Sequence, residues 1–420
     1  MFAVSLVFLG CQTTDTPPLL SVNVTPTVAA QVTQTPSNGE GSGVITTGDR
    51  QLVIWAPDFF QPPIEATPIP VLEEVYEQFR RNHPGIHLEI QTKAEAGESG
   101  LFPYLRYAQS MAPTILPDMI LLDSEQLWQA AELGLIQPIA WENLARTTDF
   151  FQFARDAVHY QGQTLGIPYT ADVIHLVYHA DQLQQAPTTW ETLIGIGTPY
   201  FFAAGKQDHP NESLLLQYVG AGGQLFEDGS VSSPDAVVAL LTFLAQAKVT
   251  GALPENILEI DNLGTAWSAF ETNNTGIADT SARQVLAKRE TLDNLGFAQI
   301  PTTNGATITI ARTWAFALIT ADVEQQQLAL ELVEQLLDPA VHGAWSRTSR
   351  QLPTQVTAYA TWSDASPYYE FLQRQLDVAI AIPNGRRFAE FAKRLQQAQE
   401  LVLLNQMNIE DAAQFVQALP

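Results

Sequence analysis

The run from Ile167 to His179 constrains this chain more than any other stretch. Its residues, IPYTADVIHLVYH, are rich in β-branched and aromatic side chains, follow Gly166 and contain no glycine, so they read as one long strand. The strand is then handed to a helix. Pro187 stops what precedes, and Thr188 with Glu191 three residues on forms an expected capping box, so the next helix should begin around Trp190.

Strand and helix signals alternate on both sides of this run. LVIWAP reads as a buried strand, Pro70 to Arg81 as a helix with Val71, Leu72, Val75, Tyr76 and Phe79 on one face, and Ile86 to Gln91 as a second strand. A helix at Leu101–Ser110, a strand at Asp118–Leu122 and a helix at Glu125–Leu133, closed by Gly134, follow. Such alternation predicts a parallel sheet with helices on both faces. Further on, strands are expected at Pro199–Ala204, at NLGFAQIP and at Thr313–Thr320. Helices are expected at Asn211–Val219, from Pro234 behind a Ser233 cap, and at Glu324–Leu337, Pro339–Ser346, Pro367–Ile380, Phe388–Leu404 and Ile409–Leu419.

Three phrases carry a resemblance. GIPY, the VYHADQL run and the PTTWETL turn are similar, in that order, to the pattern of the family 1 extracellular solute-binding proteins of ABC importers, and PDMILLDSEQLWQAAELGLIQPI resembles a second stretch of it. The resemblance covers roughly Gln51 to Leu419. It implies an α/β, periplasmic-binding-protein-like (type II) fold: two doubly wound lobes joined by several crossings, with a ligand cleft between them. Ile167–His179 would be the first crossing, and GIADTSARQV, at Gly276–Val285, a return. The expected lobes are 49–166 plus 280–320 and 167–279 plus 321–420.

Composition agrees with two cores and narrows the partners. The chain has 420 residues, 46% of them apolar, more than one ordinary domain holds. Its 45 acidic and 20 basic residues give a formal charge of −25, a surface that repels nucleic acid and anionic lipid. The single cysteine, Cys11, excludes a disulfide framework and a cysteine zinc site. It closes the run MFAVSLVFLGC, which resembles the tail of a bacterial lipoprotein signal, so segment 1–11 is expected to be a signal remnant with Cys11 lipidated. Phe8 stands where the lipobox usually has Leu and no basic residue precedes Arg50, which points to a true start upstream; the alternative is a cytosolic chain with an apolar N-terminus. Segment 12–48, rich in Thr and Pro and almost uncharged, is expected to be a disordered tether reaching on the order of 35 Å.

In a doubly wound sheet, ligands sit beyond the carboxyl ends of the strands, here the loops after Trp55, Leu122, Ala204, Ala278 and Ile310. Aromatic rings there suit the C–H face of a sugar, and Asp, Asn and Arg suit its paired hydroxyls. The candidate ligand-binding residues are Trp55, Asp58 and Phe59, Asp123 and Glu125, Tyr169 and Asp172 on the crossing, His209 and Asn211, and Arg283, Arg312 and Trp314. Trp267 and Trp345 are expected to pack in cores. The run Ser281, Ala282, Arg283 and the run Arg312, Thr313, Trp314 depart from the family's usual sugar-binding phrases, and Arg386 and Arg387 open a helix whose start faces the cleft in the family. These arginines either draw an anionic ligand or pair with nearby carboxylates.

No enzyme motif is found. GESG at Gly97 lacks the nucleophile-elbow spacing, GAGG at Gly220 fails the dinucleotide pattern, and His175 and His179 on a strand are expected to be structural. The expected protein is a bacterial, lipid-anchored, extracytoplasmic monomer without cofactor, metal or catalysis. It captures a sugar or oligosaccharide and delivers it to permease subunits on other chains. Three alternatives stay open: an acidic or phosphorylated sugar or other small anion bound by the same fold, a secreted glycan-acting enzyme, and a chemoreceptor-like sensor.

Overall fold

The computed structural model describes residues 50–61, 69–140, 144, 148–231, 233–288, 294–362 and 366–418. Cys11 and the Thr/Pro-rich segment 12–48 lie outside the described residues. Those described all belong to one unit, Thr47–Pro420. Among them no helix is long and apolar enough to cross a membrane.

Strands β1 (Arg50–Pro57), β2 (Ile86–Lys93) and β3 (Met119–Asp123) begin the chain, and β4 (His159–Tyr160) with β5 (Gln163–Thr164) forms a small hairpin. Strand β6 (Ile167–His179) has the expected bounds. After it come β7 (Tyr200–Phe201), β8 (Ile277–Ser281), β9 (Leu295–Ala298), β10 (Thr309–Leu318), β11 (Leu352–Pro353) and β12 (Ala379–Ala381). The main sheet has the order β2-β1-β3-β10-β6-β8-β7, with β11 and β9 also on β6 and β12 on β10.

Strand direction is what positions a site. β1, β2 and β3 are mutually parallel, β10 runs against both β3 and β6, and β8 and β9 run against β6 with β7 parallel to β8. Hence β3 and β6 point one way and β7 and β8 the other, so the carboxyl ends of the two parallel sets face each other. Through Trp314, the end of β3 at Asp123 lies level with Thr170, and the end of β8 at Ser281 lies beside Ile174. Four residue steps along β6, from Thr170 to Ile174, separate the two levels, about 13 Å of strand. From Ile167 to Val177 every residue of β6 is buried, which is why the run lacks the polar alternation of a half-exposed strand.

Pro168 supplies no ladder donor, and the register with β10 slips there: Thr170 faces Trp314 but Pro168 faces Ala315. The extra residue, Tyr169, makes a bulge whose carbonyl accepts Nε2–H of His342 at 2.5 Å. Burial lowers the His342 pKa to about 4, so this ring is neutral near pH 7. His175, likewise buried and lowered to about 4, meets the Tyr368 hydroxyl at 2.8 Å, while His179 lies against Asn273 and stacks on Phe270.

Several expectations are corrected. The capping box uses Thr189 and Thr192, one residue later than Thr188 and Glu191, because Thr302 holds the neighbouring backbone: its N–H donates to the Thr188 carbonyl and its carbonyl accepts Trp190 N–H. The strand expected over Pro199–Ala204 is only Tyr200–Phe201. The helix expected over Pro367–Ile380 ends at Val378, because Ala379–Ala381 pairs in parallel with β10. Within the expected return crossing at Gly276–Val285, β8 pairs with Ile174–Tyr178 and gives way to a helix, Ala282–Lys288; β9 then pairs with the same end of β6. The helices Val323–Leu336 and Pro339–Ser349 pack on Pro70–Asn82, beside the β1 end of the sheet.

Candidate functional site

The facing strand ends enclose a cavity of about 260 Å³ over the middle of β6. Asp172 and Ile174 come from β6, Arg312 and Trp314 from β10, Ser281 from the end of β8 and Arg283 from the helix after it. Residues two apart in a strand share a face, so the Arg312-x-Trp314 spacing presents the guanidinium and the indole to one space. The remaining wall comes from the loop after β7, with Gln207, His209 and Asn211, and from Asn262 to Gly264 at the start of the helix Leu263–Thr272. A narrow recess of about 20 Å³ adjoins it, sharing Glu212 and Arg312 and lined also by Asp123, Glu125 and Trp128.

Six of the twelve sequence candidates, namely Asp172, His209, Asn211, Arg283, Arg312 and Trp314, therefore meet in the cavity, and Asp123 and Glu125 meet in the recess. The other four lie elsewhere. Phe59 is not in the cavity lining but stands edge-on to Trp314, at 5.6 Å between ring centroids. Asp58 is exposed at the turn after β1. Trp55 is buried against Tyr104, with Lys93 over its ring at 4.6 Å. Tyr169 is buried among Phe60, Phe316, His342 and Trp345. Trp345 donates its indole N–H to the Phe60 carbonyl and Trp267 is buried, both core roles.

Several polar candidates have structural duties that also aim them. Asp123 caps the helix Ser124–Glu132 by accepting Gln126 N–H at 2.8 Å, and Asn211 caps Glu212–Gly220 through Leu214 N–H while donating to the Ala203 carbonyl. Asp172 accepts the Arg283 backbone N–H at 3.0 Å. Burial raises the pKa of Asp123 and of Asp172. It pushes Glu125 up to about 7, with the neighbouring Asp123 charge adding to the rise.

Both cavity arginines are paired. Arg283 meets Glu95 through Nη1 and Nη2 at 3.0 and 3.3 Å, and Arg312 Nε donates to Glu212 at 2.6 Å. The Arg283 guanidinium also lies over the rings of Phe59 and Trp314. Outside the cavity and recess linings, Arg386 meets Glu132 at 3.0 Å. Sequence reasoning passed over Glu95 and Glu212. It also passed over Asn262, whose place before an apolar helical run is an N-cap signal and which does accept Thr265 N–H. Among the described residues no cluster of three or more His, Cys, Asp or Glu side chains could hold a metal. The site is a polar cleft with one indole, suited to hydrogen-bonding a small hydroxylated molecule.

Comparison with known proteins bears on the family and the fold. Residues 74–368 match the family described as bacterial extracellular solute-binding protein. A maltotriose-binding protein of Pyrococcus abyssi (strain GE5 / Orsay) is 23% identical over 190 residues, which are 43% of this chain and 38% of that relative's length. Among solved structures, the cyclic alpha-maltosyl-1,6-maltose binding protein of Arthrobacter globiformis superposes with a TM-score of 0.71 at 16% identity, covering 89% of this chain and 99% of the other. Maltose-bound MalE3 of T. maritima gives 0.68 at 18%, covering 87% and 98%. At these identities the structural likeness establishes the fold: a maltose-binding-protein-like mixed α/β architecture.

Proposed function

Because the chain belongs to the bacterial extracellular solute-binding protein family, we propose that it is the sugar-capturing component of an ABC importer. The observation that carries this reading is the placement of Asp172, Arg283, Arg312 and Trp314 in one cavity between oppositely directed strand ends. Hydrogen-bonding side chains there can address paired hydroxyls, and the indole can take the apolar face of a ring. The maltose- and maltotriose-binding names of the similar proteins support a sugar over other solutes.

On this reading the body divides at β6 into two lobes. One holds β1 to β3 with the helices Val323–Leu336 and Pro339–Ser349; the other holds β7 to β9 with the helix Arg386–Leu403. Ligand touching both lobes favours a closed form, by no more than its preference for that form over the open one. The closed form docks on a permease, and lipidated Cys11 keeps the body at the membrane.

The test is a thermal-shift and calorimetric screen of purified protein against mono- and oligosaccharides. A sugar at 100 times its Kd raises stability by about 2.7 kcal/mol and is recovered intact. No stabilisation by any sugar would remove the reading, and recovery of shortened sugar would replace it with hydrolysis.

A further inference from the structure

Given a sugar-binding cleft, on which this step rests, we propose that the ligand is a short uncharged sugar of one or two rings, and that extended oligosaccharides and sugar acids or phosphates are rejected. Two independent sets of observations lead there, one on size and one on charge.

The cavity, about 260 Å³, lies below the roughly 300–1,000 Å³ typical of sites for drug-sized ligands. Among the described residues it offers one indole, Trp314, as a place for a sugar face, and Trp128 lies in the recess of about 20 Å³, too narrow for a second ring. Its wall includes Arg283, paired with Glu95, and the Arg312–Glu212 pair, which also lines the recess toward Asp123 and Glu125. These side chains are only 13–32% exposed. A longer chain of sugars leaving the cavity would part them and leave partly buried charges without partners, a strong penalty.

The same two pairs decide the charge. Each guanidinium that could have met a carboxylate or phosphate on the ligand already faces a protein carboxylate. Asp172 remains on the floor, and Asp123 lies in the adjoining recess. An anionic ligand would add like charge beside these groups and compete for arginines already held, whereas a neutral ring brings only hydroxyls that can donate to Asp172.

Calorimetry or Trp fluorescence on the full chain, with each neutral sugar run beside its longer oligomer and its charged derivative, tests both halves. Suitable probes are glucose, maltose, maltotriose and maltohexaose, glucuronic acid and glucose 6-phosphate, with the galactose, xylose and cellobiose series run likewise. The expected result is that a mono- or disaccharide binds, with the hexamer and the acid and phosphate at least about tenfold weaker. A hexamer or sugar acid bound as tightly as its neutral short parent overturns the inference and leaves sugar capture standing; silence across the panel removes both. Glu95→Gln, which releases Arg283 from its carboxylate, is expected to tighten binding of glucuronic acid about tenfold. If that variant does not fold, Glu212→Gln poses the same question at Arg312. Unchanged acid affinity in the folded variant counts against the charge argument.

Discussion

Asp279 is fully buried on β8, where its Oδ1 accepts the Tyr200 hydroxyl at 2.6 Å. Burial pushes its pKa up to about 7 against that hydrogen bond, while the unfolded value stays near 3.8. A raised carboxyl is most compatible with folding below its unfolded pKa and loses stability as pH rises to its folded one. Wild-type stability relative to Asp279→Asn should therefore fall by about 1.4 kcal/mol per pH unit between roughly pH 4 and 7 and then level off. Denaturant titrations of both proteins across that range check it; a flat difference would mean that the carboxyl ionises normally when buried. At the binding site the corresponding single-residue statement concerns Trp314. As the one indole that lines the cavity among the described residues, Trp314 is the sugar-stacking ring, and Trp314→Ala should weaken sugar binding by about tenfold, read by calorimetry. The arginines were visible in the sequence as unusual neighbours of strand ends. Their partners were not, because Glu95 and Arg283 are 188 positions apart and Glu212 and Arg312 are 100 apart, and no local pattern encodes such pairs.

At the scale of elements, periodicity made most of the sheet and its helices legible, and tertiary pairing decided what it could not. β6 was readable because a strand buried on both faces keeps an almost unbroken run of β-formers. β12 was not, because AIA carries neither period and its strand character comes from β10 alone. The cap before Trp190 is the clearest ambiguity. Thr188 and Thr189 both precede a helical run, and only the bonds to Thr302 choose between them. Thr189→Ala should cost about 1 kcal/mol of stability, since the Thr189 hydroxyl accepts Thr192 N–H. Thr188→Ala, at an exposed position, should stay within about 0.5 kcal/mol. A larger loss at Thr188 than at Thr189 in chemical denaturation would show that the box forms on the earlier threonine.

Across the whole molecule, among the described residues, Arg283–Glu95 and Arg386–Glu132 join the β7–β9 side to the β1–β3 side, and Arg312–Glu212 ties β10 to the helix after β7. They are unequal. The Arg386 side chain is 77% exposed, so its pair is screened by water and salt and holds little. The two inner pairs are partly buried and flank β6 where the carboxyl ends converge, so they resist opening without any ligand present. Lobes that open and close differ by only a few kcal/mol, and a change of one or two moves the population by a factor of about 5–30. The double variant Glu95→Gln/Glu212→Gln should thus have a larger sugar-free radius of gyration than wild type, by small-angle scattering. A saturating short sugar should contract it again, because ligand contacts to both sides replace the lost pairs. Salt should change the size of either protein little, because partly buried pairs are screened far less than exposed ones. A variant no larger than wild type without sugar would mean that β6 and β10 hold the halves together by themselves, with the arginines serving only to shape the cavity.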